Sequence, residues 1–238
     1  MLNKIKIVGK ILSFEVKVKE EEEKIESIFY FSLLVPSPSG SLTILRCAAQ
    51  KEIAQKIKAE VNGEEIVEVQ GYLQNEKSGR QIIIRVQKFE RLNLNFEDID
   101  STKSNQVQLQ GRVVSLKVQP NNDEPETLSF QIVVPRKKNL FSGFFCRVQG
   151  ELISKLNSHL KEGRETLVEG FLQTKKMVEK DNGNETKISR FSHIICCAFT
   201  FADDDSPIDL NNPDKLTKIT GRVKKIDFSK TKEKEREE

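Results

Sequence analysis

The sequence has few of the residues that carry catalytic or redox chemistry. It contains no tryptophan, two histidines, two tyrosines and four cysteines among 238 residues. Neither His159 nor His193 has a nucleophile or a set of metal ligands beside it in the sequence, and no phosphate-binding glycine motif is present. We therefore expect a protein that is not an enzyme and that has no cofactor and no metal site.

Long hydrophobic runs are also absent. No stretch approaches the roughly 18 apolar residues of a membrane-spanning helix, and residues 1–5 lead directly into a strand pattern, which leaves no room for a signal peptide. The cysteines lack disulfide or metal spacing and are predicted to be core thiols; they are Cys47, Cys146, Cys196 and Cys197. These features predict an intracellular protein of the cytoplasm or nucleoid without membrane contact, and an organelle-encoded origin stays open.

The charge balance identifies no partner class by itself. The net charge is only +3, so bulk electrostatics does not single out a nucleic-acid binder. Cations exceed anions more strongly in residues 106–202 than in residues 1–94. The second half of the chain is therefore the better candidate for holding an anionic polymer.

The chain repeats itself about every hundred residues. Phe31 and Phe130, and likewise Gly71 and Gly170, are separated by 99 residues within similar segments. A period this long fits one whole small domain per copy. The motif of an apolar residue, any residue, glycine and a cation begins three copies, at Ile7–Lys10, Leu109–Arg112 and Ile219–Arg222. The third copy stops after its first strand.

Short alternating and β-branched runs predict five strands in each complete copy. They cover about residues 4–14, 28–35, 42–49, 65–74 and 80–91, and then 107–118, 127–134, 143–149, 166–177 and 187–200. A helical pattern lies between the third and fourth strands, with Ile53 and Ile57 in copy one and Leu152, Leu156 and Leu160 in copy two. This order predicts a mainly all-β chain of two tandem OB-fold barrels, each with one helix, plus the first strand of an incomplete third copy.

Polar segments without periodicity divide the chain into predicted domains. They are OB-fold 1 over 1–94, a linker over 95–106, OB-fold 2 over 107–202, an acidic, proline-containing linker over 203–215, and the truncated copy with a charged tail over 216–238. One strand cannot form a domain. The last segment should therefore add to an exposed sheet edge of another copy, or belong to an OB-fold that is cut short.

Strand alternation separates the predicted core side from an outer face that carries aromatic and basic side chains. Bases stack on exposed rings while Lys and Arg neutralise phosphates, which is how proteins hold single-stranded nucleic acid. A basic loop, Arg136–Lys138, adds to this face in copy two, whereas the acidic run Glu20–Glu23 would repel phosphate in copy one. The predicted contacts are Lys10, Arg46, Tyr72, Arg112, Arg136, Lys137, Lys138, Phe141, Phe145, Arg147, Phe171, Lys175 and Lys176.

Two segments of copy two, Phe145–Leu156 and Leu167–Lys176, resemble the bacterial single-stranded-DNA-binding (SSB) family, as do Arg46–Ile57 and Glu68–Gln74 in copy one. The resemblance implies an OB-fold that binds single-stranded DNA with little sequence preference during replication, repair or recombination. It also implies four OB-folds per assembly, hence a homodimer here, and replication or repair proteins as partners. The family typically stacks bases on tryptophans, which this chain lacks.

Alternatives remain open at this level. RNA could replace DNA as the ligand. An outward aromatic ring can also cover the flank of a barrel or form a subunit interface, and a basic hairpin can be a solvated turn. The alternative function is a structural or adaptor OB-fold protein that makes protein contacts with weak or no nucleic-acid binding.

Overall fold

A computed structural model describes residues 2–21, 24–76, 81–119, 127–136, 140–156, 158–181, 184–204 and 206–221. The first repeat contains β1 (Asn3–Glu21), β2 (Lys24–Pro36), β3 (Leu42–Gln50), α1 (Lys51–Glu60), β4 (Ile66–Asn75) and β5 (Ile82–Leu92). The second contains β6 (Asn105–Gln119), β7 (Thr127–Pro135), β8 (Phe141–Gln149), α2 (Leu152–Leu156), β9 (Glu165–Asp181) and β10 (Asn184–Ala202). One further strand, β11 (Leu216–Thr220), follows a short 3-10 turn at Pro213–Lys215.

Each set of five strands closes into a barrel. In barrel 1 (β1–β5) the pairing runs β1, β2, β3, β5, β4 and back to β1, and in barrel 2 (β6–β10) it runs β6, β7, β8, β10, β9 and back to β6. The closing β3–β5 and β8–β10 pairs are parallel, and the other pairs within each barrel are antiparallel. The predicted fold class, two tandem OB-fold barrels with a helix after the third strand, is confirmed.

Alternating apolar residues on the strands fill both barrels, and the helices cover one end of the core. Phe31 and Leu33 in barrel 1, and Phe130 and Ile132 in barrel 2, are fully buried. The α1 helix buries Ala54 and Ile57. The second helix ends at Leu156 and is therefore shorter than the pattern to Leu160 predicts. Leu160 is nevertheless buried.

The two barrels join edge to edge through their first strands. β1 and β6 pair antiparallel, with Asn3 opposite Leu109 and Ile7 opposite Asn105. Asn105 donates from Nδ2 to the Leu172 carbonyl (2.7 Å) and accepts from the Leu172 amide (3.0 Å), and Asn3 makes the same two bonds to Leu73. The matching contacts make the junction pseudo-symmetric, as expected when two copies of one ancestral domain pair.

The third repeat supplies a strand rather than a barrel. β11 pairs antiparallel with the last five residues of β10, from Ala198 opposite Thr220 to Ala202 opposite Leu216. Lys218 forms an ion pair with Glu169 on β9. Of the two predicted alternatives, addition to a sheet edge is therefore confirmed for residues 216–220, whereas residues 222–238 lie outside the described part of the chain.

The cysteines largely follow the prediction. All four are free thiols; three are buried, and Cys197 is half-buried. Burial raises the pKa of Cys197 to about 11, with a further contribution from the negative charge of Glu169. Within the described ranges, no helix is long and apolar enough to cross a membrane.

Candidate nucleic-acid interface

The candidate interface lies on the outer side of barrel 2, where β8 and β10 run side by side. The parallel register places Cys146 beside Ile194 and Arg147 beside Ile195, so the preceding residues Phe145 and His193 are also neighbours. On the other side of β10, His193 faces Gln173 of β9. We call this surface the β8–β10 face and define it by Phe145, Arg147, Lys175, Phe191 and His193.

Three aromatic rings pack together on the β8–β10 face. The ring centroids of Phe145 and Phe191 are 5.1 Å apart, and those of Phe191 and His193 are 5.9 Å apart with an angle of 20° between their planes. Phe145 is 37% exposed, whereas His193 is only 1% exposed. Phe141, on the same side of β8, is 65% exposed. The cluster therefore presents rings to solvent on a rigid strand rather than on a loop.

Two cations, Arg147 and Lys175, flank these rings. Arg147 is half-buried and Lys175 is exposed. Neither forms an ion pair with any residue that the structure describes. Burial lowers the pKa of His193 to about 3, and the nearby positive charges of Arg147 and Lys175 add to this shift. The β8–β10 face thus combines an aromatic platform with two cations that have no ion-pair partner within the described part of the chain.

The buried His193 predicts that the protein loses stability in acid. Its folded pKa lies below the unfolded value of about 6.5, so its contribution is fully present above pH 6.5 and declines as the pH falls toward 3. The free energy of unfolding should drop by about 2 kcal/mol between pH 6.5 and 5 from this group alone. Urea unfolding at several pH values measures it.

The control for this experiment is a ring without a titrating nitrogen. His193→Phe should flatten the profile over pH 5–6.5, whereas His159→Asn should leave the slope in place. Equal slopes for the wild type and His193→Phe would show that His193 does not stay neutral in the folded state.

On the equivalent face of barrel 1, Arg46 is paired with an acidic side chain. Arg46 Nη1 lies 2.7 Å from Glu76 Oε1, and the Arg46 guanidinium stands 4.8 Å from the centre of the Tyr30 ring. Glu76 corresponds to Lys175 in the 99-residue repeat, so the charge at this position is reversed between the copies. Tyr72 is half-buried. Arg85 of β5, which pairs with Ala48 on this face, is half-buried and donates from Nε to Gln74 Oε1 (2.9 Å). Barrel 1 therefore exposes less cationic charge on this face than barrel 2, where Lys175 is exposed.

The structure contradicts the expected exposure of one predicted contact residue. Phe171 on β9 is not an exposed ring, since its side chain is only 1% exposed. It points away from the barrel core as the alternation predicts, yet toward the cleft at the junction of the two barrels, which Ile5, Val107, Cys197 and Gly221 also line. Neighbouring elements, rather than the barrel interior, bury this ring.

The other predicted residues fall into two groups. Lys10, which forms a 3.5 Å ion pair with Glu64, and the exposed Arg112 lie on the first strands, outside the β8–β10 face. Arg136 is exposed, and its amide donates to the Leu140 carbonyl (2.6 Å), which closes the hairpin before Phe141. Lys137 and Lys138 lie outside the described residues, as does the side chain of Lys176.

Sequence reasoning missed Phe191 and His193. Both follow the alternation of β10, which places them on the side opposite the buried Ile194. The parallel pairing of β10 with β8 is what brings them beside Phe145. The available signal was the Phe-Ser-His-Ile alternation at residues 191–194.

Comparison with known proteins places the fold. No protein-family model matches the sequence, and no curated protein matches it significantly. The wild-type single-stranded DNA binding protein from Thermus aquaticus is similar in structure, with a TM-score of 0.59 at 15% identity over 96% of this chain and 98% of that one. A deletion mutant of the same protein has a TM-score of 0.58 at 16% identity over 82% of this chain and 91% of that one. At such identities the likeness concerns the fold.

Proposed function

We propose that the protein binds single-stranded nucleic acid, with DNA as the ligand, without catalysis and with little sequence preference. The observation that carries this proposal is the position of two cations, Arg147 and Lys175, beside the exposed Phe145 ring on barrel 2; neither has an ion-pair partner among the residues that the structure describes. The similarity in fold to a single-stranded DNA binding protein supports it.

The chemistry of the β8–β10 face suits a flexible, unstacked strand. Each base stacked on an aromatic ring contributes roughly 1–3 kcal/mol, and every base has a face that can stack, so little sequence preference results. Arg147 and Lys175 would neutralise phosphates on either side of the ring. The hairpin of Arg136, Lys137, Lys138 and Phe141, with Lys176 on β9, extends this surface in our proposal. A duplex hides its base faces and would lose the stacking contribution.

The two barrels have unequal roles in this proposal. Barrel 2 supplies most of the contacts, whereas in barrel 1 Arg46 is already engaged by Glu76 and Tyr30. Lys10, Tyr72 and Arg112 would contribute secondary contacts only. We further propose a homodimer that assembles four barrels and acts in replication, repair or recombination together with proteins of those processes.

The proposal is tested by comparing a fluorescent oligo-dT with a matched duplex in an anisotropy titration at low salt. We expect the single strand to bind much more tightly than the duplex. Equal affinity for the single strand and the duplex would show that the protein binds nucleic acid by nonspecific charge attraction alone. No binding of the single strand would favour the adaptor function, and oligo-rU in parallel separates RNA from DNA.

A further inference from the structure

A groove in barrel 2 lies between the edge of β10 and the helix α2, and β11 fills it. Phe199 of β10 pairs with Ile219, which packs against the hydrophobic core. The Gly221 amide donates to the Cys197 carbonyl (2.9 Å). A Cβ atom at Gly221 would lie 2.8 Å from Cβ of Leu152 on α2, so the strand passes directly against the helix. The glycine of the third motif, Gly221, thus allows β11 to lie in this groove against α2.

Barrel 1 has the same groove, and no described strand occupies it. Ile53 of α1 corresponds to Leu152, and Phe89 of β5 corresponds to Phe199 because each pairs with the equivalent valine, Val69 or Val168. Among the described residues, the outer edge of β5 over Lys88–Leu92 pairs with no strand. A cavity of about 360 Å³ lies there, lined among others by Ile53, Lys56, Phe89 and Glu90.

A lysine of α1 donates a hydrogen bond to the open edge of β5. Antiparallel pairs alternate in hydrogen bonding, and the Cys197–Gly221 bond fixes Phe199 as a residue whose polar groups face β11. Phe89, its counterpart, has its carbonyl oxygen 3.1 Å from Lys56 Nζ, which donates to it. A flexible lysine thus occupies the position where barrel 2 has a strand.

We propose that the β5–α1 groove of barrel 1 binds an extended peptide segment of a partner protein, which adds to β5 as an antiparallel strand. This inference is independent of nucleic-acid binding. Transferring the β10–β11 register places an Ile219-like residue opposite Phe89, a Lys218-like cation opposite Glu90 and a Leu216-like residue opposite Leu92. The partner segment therefore alternates apolar residues with a central cation and ends in glycine.

Charge gives the groove its selectivity. Lys88, Glu90 and Arg91 are exposed along the edge of β5, and charged side chains discourage indiscriminate strand pairing. A segment that places a cation opposite Glu90 turns part of this barrier into attraction. In barrel 2 the corresponding residue is Thr200, and Lys218 instead pairs with Glu169.

The probe is a labelled synthetic peptide with the sequence of residues 214–222, titrated into the full chain. We expect saturable binding that Glu90→Lys weakens about three- to tenfold, the size expected for losing and reversing a cross-strand charge pair. A peptide carrying Lys218→Glu should bind Glu90→Lys as well as the original peptide binds the wild type. Glu97→Lys, an equal charge change in the exposed turn after β5, is the control and should have no effect.

Three results would overturn the proposal. The first is that the peptide does not bind the wild type. The second is that it binds the wild type and Glu90→Lys with equal affinity, which is expected if it displaces β11 from barrel 2. The third is that the chain alone self-associates as its concentration rises and that Glu90→Lys abolishes this self-association, which would assign the groove to a second copy of the chain. Oligo-dT binding should be the same for wild type and Glu90→Lys, so failure here is distinguishable from failure of the proposed function.

Discussion

Phe145→Ala is expected to lower the affinity for oligo-dT about 5- to 150-fold. The ring is the exposed member of the aromatic cluster on the β8–β10 face, and its centroid lies 5.1 Å from that of Phe191. Removing it deletes one stacking platform, worth roughly 1–3 kcal/mol. Fluorescence anisotropy with a short oligo-dT at fixed salt measures the change.

Two further variants test whether the effect comes from stacking and whether it is specific to barrel 2. Phe145→Trp keeps an aromatic ring at the same place and should retain or increase the affinity. Tyr72→Ala removes a half-buried ring from the equivalent face of barrel 1 and should change the affinity less than twofold in our account, since barrel 1 contributes few contacts. If Tyr72→Ala costs as much as Phe145→Ala, the two barrels share the ligand and the asymmetry is wrong.

Gly170→Ala is expected to destabilise the protein by about 3 kcal/mol, which lowers the melting temperature by about 6–12 °C for a chain of this size. A Cβ atom at Gly170 would collide with the carbonyl oxygen of Ile195 on the neighbouring strand β10. The obstacle is backbone, so no side-chain rotation can relieve it. Gly71 meets the Arg85 carbonyl in the same way, which explains why this glycine recurs after 99 residues.

The matched control is another strand glycine of barrel 2. A Cβ atom at Gly143 would meet only the flexible end of the Gln131 side chain, at 3.4 Å. Gly143→Ala should therefore leave the melting temperature within about 2 °C of the wild type, because an unstrained alanine also restricts the unfolded chain. Equal melting temperatures for Gly170→Ala and Gly143→Ala would show that β9 and β10 can separate beside Gly170 without cost.

Local pattern was sufficient to predict the barrels. Apolar alternation identifies strands because each strand has one face in the core, and the 99-residue repeat of Phe31 and Gly71 identifies two copies. The same alternation correctly predicts that Phe145 and Arg147 point away from the core of barrel 2. These features depend on neighbours along the chain, which the sequence displays directly.

Features that depend on distant residues were beyond the sequence. Alternation shows that Phe171 points out of its barrel, but not that the junction with barrel 1 covers it. It places Arg46 outward, but not beside Glu76, which follows the end of β4 thirty residues later. The Phe191 and His193 rings joined the site only because β10 pairs parallel with β8. Strand order and register decide which outward residues remain free.

The proposed function requires that Arg147 and Lys175 of barrel 2, and not the total charge of the chain, hold a single strand. The test is to measure oligo-dT affinity across a salt series for Arg147→Ala/Lys175→Ala and for the wild type. The control, Arg46→Ala/Glu76→Ala, removes the neutral ion pair from barrel 1.

We predict that Arg147→Ala/Lys175→Ala reduces the slope of log affinity against log salt by about 1.4, the loss of two phosphate contacts, whereas the control keeps the wild-type slope. An unchanged slope for Arg147→Ala/Lys175→Ala, or no binding of oligo-dT by the wild type at low salt, would contradict the account.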